Sequence, residues 1–208
     1  MTKAKLIAIS GLCCAVVVGC MLLACLPVMR YLMLFLGVVA AVATVIPLML
    51  GSKNLAYSLL IYAAGSILGV FLGFANIMYV APIVTFCIPF AIVKVHGETA
   101  KLSATVSKSV LDDPFDDSQK VVKIQMKSKT NLSVGVRWTL YYVLLEVGLA
   151  LTVLSAYLFM RPVFDAMVQN VWFYVALVVM QFAVFPYNFL LHGCLVGTAK
   201  VLSKVIKP

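Results

Sequence analysis

The sequence predicts an all-α polytopic membrane protein, a six-transmembrane-helix bundle with a cytoplasmic polar insert. Three observations predict it. Of 208 residues, 64% are hydrophobic and 11% charged, whereas a soluble domain carries about a quarter charged residues. Six apolar stretches approach the ~20 residues needed to cross a hydrocarbon core. The basic residues between those stretches are strongly one-sided.

The stretches run over 5–26, 30–50, 55–75, 76–94, 136–160 and 171–198. The first is too long for the apolar part of a signal peptide and lacks a polar stretch with a cleavage site, so it reads as a retained helix. Pro27 ends it. Gly51-Ser52-Lys53-Asn54 separates spans 2 and 3, and Arg161-Pro162 follows span 5; both read as turns. Spans 3 and 4 are divided only around Asn76. The chain thus divides into four helices over 1–94, a polar loop over 95–135, and two helices with a basic tail over 136–208.

Sidedness gives the orientation. Lys3 and Lys5 precede span 1, and Lys53 follows span 2. Lys94, Lys101, Lys108, Lys120, Lys123, Lys127, Lys129 and Arg137 lie between spans 4 and 5 or at their edges. Lys200, Lys204 and Lys207 close the chain. Only Arg30 and Arg161, of 16 basic residues, fall on the other side. The excess of Lys and Arg marks the cytoplasmic face, so both termini are expected there, in the cell membrane. The net charge of +9 therefore reports topology; it is too dispersed for a nucleic-acid partner. The lipid bilayer is the expected surrounding.

The insert at 95–135 holds five of the seven acidic residues, four of them in Asp112-Asp113-Pro114-Phe115-Asp116-Asp117. That cluster lacks the spacing and the glycine of a calcium loop, and reads as a solvated turn. Ser118 to Lys127 alternates basic and apolar residues, as a short strand or an amphipathic helix on the anionic leaflet would. The six cysteines all lie in apolar runs without disulfide or zinc spacing, as small buried hydrophobes do. No phosphate loop, HExxH pair or GxSxG elbow occurs. The sequence implies neither an enzyme, nor a metal site, nor a cofactor.

Candidate ligand-binding residues are few. Glu146 is the single acidic residue at membrane depth, where an ionisable group is costly and usually faces a bundle interior or a water cavity. Tyr142 and Thr139 share its helix face. Gln181, Asn188 and His192 form a stripe on span 6, interrupted by Pro186, which frees a backbone carbonyl. One reading is a polar site between spans 5 and 6, where Glu146 meets Asn188 or His192 to bind a polar ligand or relay protons. The other is an interhelical hydrogen bond worth about 0.6–2 kcal/mol. Arg30 and Tyr79, near the outer face, are candidates for contact with an external ligand. Tyr31, Trp138, Trp172 and Tyr174 read as interfacial anchors.

Small residues recur every fourth position in span 1 (Gly11, Ala15, Gly19) and span 3 (Gly65, Gly69, Gly73). Such ladders let helices approach closely, either within the bundle or, for span 1, against a separate membrane subunit. Pro82 and Pro89 predict a broken span 4, a feature found at transport sites.

Six spans in about 200 residues, cytoplasmic termini, the opening Lys3-Ala4-Lys5-Leu6-Ile7-Ala8 and the Gly11, Ala15, Gly19 ladder resemble the substrate-binding S components of energy-coupling-factor transporters, and related six-span bacterial membrane proteins. The resemblance implies a small-solute binder that docks a membrane coupling subunit through its first helix and holds its ligand in the outer half. The leading expectation is therefore a bacterial membrane protein that binds a small solute for transport. The alternatives are a scaffold recruiting a partner through its cytoplasmic loop, and a lipid-handling protein. Transport predicts an outer-facing cavity lined by spans 3 to 6 and reached by Arg30, Glu146 or Asn188.

Overall fold

A computed structural model describes residues 3–51, 54–97 and 134–205. The acidic cluster, the 118–127 segment and nearly all of the 95–135 insert lie outside the described residues, as do Lys53 and the Arg30 side chain. Every described element is helical, with no strand among the described residues.

α1 (Lys3–Ala24) and α2 (Met33–Leu50) are joined through a 3-10 turn at Met29–Leu32. α3 (Leu55–Leu72) is followed by a 3-10 turn at Phe74–Asn76. The fourth span is broken into α4 (Ile77–Pro82), a π-helical stretch (Ile83–Cys87) and α5 (Ile88–Gly97). α6 (Val134–Phe159) is a single long helix, and α7 (Arg161–Val168) is a short one. α8 (Val171–Phe182) and α9 (Val184–Val205) complete the described elements. Among the described residues, five helical segments are long and apolar enough to cross a membrane, or six if α8 and α9, bent by 43°, form one span. The chain is membrane-embedded by this measure.

Two prolines explain the breaks. Pro186 lacks the N–H that would bond the Phe182 carbonyl four residues back, and α8 ends at Phe182. Pro89 likewise removes a donor to the π stretch. The wider turn is held by side chains from elsewhere: Tyr62 Oη donates to the Val84 carbonyl at 3.2 Å, and Tyr187 Oη to the Cys87 carbonyl at 2.8 Å. α8 starts on a cap, with the Trp172 amide donating to Asn170 Oδ1 at 3.0 Å, which satisfies one of the first-turn donors.

α2 is the hub, packed against α1, α3, α5 and α9. Half of its buried residues are small: Gly37, Ala40, Ala41, Ala43 and Thr44 sit among Leu36, Val38, Val45, Pro47 and Leu48. Without a hydrophobic drive between helices in lipid, such faces gain contact by close approach. A Cβ on Gly37 would sit 2.7 Å from Cys87 Sγ, so the π stretch reaches α2 only because glycine is there. The ladder of α3 faces α1. A Cβ on Gly65 would lie 2.9 Å from Val17 Cγ1, and one on Gly69 would collide with Met21 Sδ. Gly11 and Gly19 of α1 meet nothing within 4 Å, so the α1 ladder takes no part in this packing.

α6 packs against α4 and the π stretch. Thr85 Oγ1 donates to the Ala81 carbonyl at 2.9 Å and lies 3.1 Å from both the Gly148 carbonyl and Thr152 Oγ1. In contrast, α8 packs mainly on its chain neighbours α7 and α9, and most of its residues are exposed. It stands off from the bundle and leaves space behind it.

Candidate functional site: an apolar cavity behind α8

That space is a cavity of about 530 Å³. α6 supplies one wall: Leu145, Gly148, Leu149, Thr152 and Ala156 line it. These positions recur at helical spacing and so share a face. α8 supplies another through Phe173, Leu177 and Met180. Met33 and Leu34 at the start of α2, Asn76 and Tyr79 around the start of α4, and Phe164 and Met167 of α7 close the end of the bundle where these turns meet. The broken span forms the floor, with Pro82, Phe86 and Cys87. α3 contributes no lining residue among those described.

Five of the ten methionines line this space: Met33, Met78, Met160, Met167 and Met180. Methionine is unbranched and polarizable, and it adapts to irregular shapes. No charged side chain lines the cavity among the described residues. The Thr152 hydroxyl is already engaged, donating to the Gly148 carbonyl at 2.8 Å. The other polar groups of the lining are Asn76 and Tyr79, which also have partners, and the Cys87 thiol. Asn76 and Tyr79 sit together in sequence at the α3–α4 turn.

Beneath the floor lies an aromatic plug. Phe86 stands 5.2 Å from Tyr187, and Phe90 stands 4.5 Å from Tyr141 and 5.3 Å from Tyr187. These offset and edge-on pairs are favourable geometries. Tyr187 and Phe90 are fully buried. One turn beyond Phe90 on α5 comes Lys94, only 3% exposed. Its Nζ donates to Asn188 Oδ1 and, at 3.4 Å, to the Asn188 carbonyl. A buried ammonium needs such partners to offset its desolvation.

The residues singled out in the sequence are scattered. Asn188 is half-buried and meets Lys94, not Glu146. Glu146 is exposed on the outer surface of α6. It follows Leu145, a lining residue, by one position, and one residue turns a helix by about 100°. Tyr142 is half-buried with its ring 6.2 Å from Phe185. Gln181 is half-buried and His192 is exposed; neither lines the cavity. Tyr79 and Pro82 do line it. Trp138 packs inward on Phe185 at 5.2 Å, while Tyr31, Trp172 and Tyr174 are exposed.

Sequence reasoning missed Lys94 as a buried group, because it ends an apolar run next to a basic loop. It also missed the α6 wall. Gly148, Thr152 and Ala156 interrupt the large side chains of α6 every fourth residue, a signal that was available. Compared with known protein families, curated proteins and solved structures, the chain matches none.

Proposed function

We propose that this chain binds a small solute for transport, within the cavity between α2, α4, α6, α7 and α8. The observation that supports this reading is the cavity itself. A helix pair in lipid gains by packing closely, so a void of about 530 Å³ inside a six-span bundle forfeits contact energy unless something fills it. Its size falls in the range of small-molecule sites. With the sidedness of the basic residues, both termini are cytoplasmic and the cavity lies in the outer half of the bilayer, the half where the resemblance to S components places a ligand.

Native mass spectrometry of the protein released from nanodiscs tests this reading. Wild-type protein is expected to carry a small-molecule adduct that Leu149→Trp and Leu177→Trp both lose. An adduct-free wild type, or an adduct retained by both variants, would overturn it.

A second reading, a membrane partner docked on α1, is favoured by the open face at Gly11 and Gly19. Partner docking there would make Gly11→Ala and Gly19→Ala shift the native complex to lower mass on blue-native gels. Unchanged migration would count against it.

A further inference from the structure

We infer that α8 is a hinged lid, and that its swing opens the cavity sideways into the bilayer. The inference rests on the solute-binding reading above and adds the route by which a solute enters and leaves.

Three observations carry it. The first is how α8 is held. α2 packs on four other helices, and α6 packs on α4, the π stretch and α7, whereas α8 packs mainly on α7 and α9, its neighbours in the chain. Its inward side chains, Phe173, Leu177 and Met180, line the cavity. A side chain that faces a void lacks partner atoms on that side, so these positions give up little when α8 moves.

The second observation is that α8 is broken from the chain at both ends. Asn170 before it is extended, with φ −95° and ψ 122°, and the helix restarts on the cap from the Trp172 amide to Asn170 Oδ1. At the other end the Ala183 amide donates to the Met180 carbonyl at 3.0 Å, a 3-10 closure, and the α-pattern resumes with the Tyr187 amide on the Ala183 carbonyl at 3.1 Å. Between them Pro186 offers Phe182 no donor, and the axis bends by 43°. A few element-terminal residues of this kind are where hinge rotation is absorbed.

The third observation is what stays in place. α7 is pinned to the end of α6, with the Arg161 guanidinium 5.4 Å from the Tyr157 ring centroid and Phe164 edge-on to the same ring at 5.5 Å. Phe164 and Met167 close that end of the cavity, the end where Arg161 and Asp165 of α7 mark the water interface. The movable wall is therefore α8. Its outward side chains, among them Val175, Val178, Val179 and Phe182, are apolar and exposed, as a surface against acyl chains is. A gap beside α8 thus opens to hydrocarbon and not to water. The 12 residues of α8 reach about 18 Å, so the lid covers part of the bilayer core and not its full depth.

The chain's two tryptophans test this directly. Trp172 opens α8, and Trp138 of α6 packs inward on Phe185. Fluorine NMR of the full chain, labelled with fluorotryptophan in nanodiscs, reads one signal on the lid and one on the body. Trp172 should exchange on the μs–ms scale of hinge motion with a minor state of about 1–10%, while Trp138 shows one state. Phe173→Ala trims the lid's cavity face and should raise the minor state at least about fivefold, with an unmoved Trp138 signal showing that the bundle is intact. Pro186→Ala restores a donor for the Phe182 carbonyl and should leave Trp172 in a single state. On illumination, a phospholipid with a diazirine at its acyl end should label the lining residue Leu149, more in Phe173→Ala than in wild type, and a water-soluble diazirine should not.

A single, non-exchanging Trp172 state in both wild type and Phe173→Ala would overturn the lid. An adduct in native mass spectrometry of that same sample would leave solute binding standing, and its absence would remove both. Labelling of Leu149 from water but not from lipid would overturn the bilayer route.

Discussion

Lys94 and Asn188 form a strongly polar contact inside the bundle, and they illustrate what a single residue can hide. In the sequence Lys94 ends an apolar run and adjoins a basic loop, so it counts among the charges that set topology. In the structure it is buried and donates to Asn188. A lysine can reach either way along its four-carbon stem, and its neighbours in sequence do not say which. Asn188→Leu should therefore cost about 1.5–3 kcal/mol, the range for a hydrogen bond to a charged group, in reversible unfolding in mixed micelles. Lys94→Met should cost less, and adding it to Asn188→Leu should recover part of the loss, because no ammonium is then left buried. Strictly additive losses would show that the two side chains do not interact. Glu146 was legible as unusual, but its direction was not. It shares a helix with the cavity wall and points away from it. Glu146→Gln should leave the adduct seen in native mass spectrometry unchanged, and should stabilise rather than destabilise the protein if the outward carboxyl meets lipid, where an ionisable group is costly.

Helix existence was the most readable feature, because every span carries a long apolar run and little else in water could bury it. Its breaks were readable too, through Pro82, Pro89 and Pro186. What the prolines did not disclose is that carbonyls of the π stretch are bonded from outside it, Val84 by Tyr62 of α3 and Cys87 by Tyr187 of α9. The glycine ladders show the same division. Spacing marked both ladders alike, yet only that of α3 packs on another helix. Gly69→Ala should destabilise by about 1–3 kcal/mol, since its Cβ collides with Met21 Sδ in the α1–α3 contact and overpacking costs that much. Gly11→Ala meets open space and should be neutral or stabilising by up to about 1 kcal/mol, the helix propensity difference. Detergent-unfolding midpoints that move equally for both would contradict this assignment of faces.

For the chain as a whole, hydropathy and charge sidedness propose six spans with cytoplasmic ends, and among the described residues the helices long and apolar enough to span are five, or six when α8 and α9 count together. A green fluorescent protein fused at the C-terminus should fluoresce, and alkaline phosphatase fused after residue 165 should be active. The opposite pair would invert the orientation. The cavity was not legible from sequence, because it arises where α8 fails to pack on α6 and α4, a tertiary fact with no local signature. It nonetheless carries the functional reading: an apolar space roofed by a helix that packs mainly on its chain neighbours. The most direct test is a cryo-electron microscopy map of the protein purified from its own membrane into nanodiscs. Non-protein density inside the cavity, lying against α6 between Leu145 and Ala156, is the expected result. A map in which α8 closes onto α6 and no space remains would contradict solute binding.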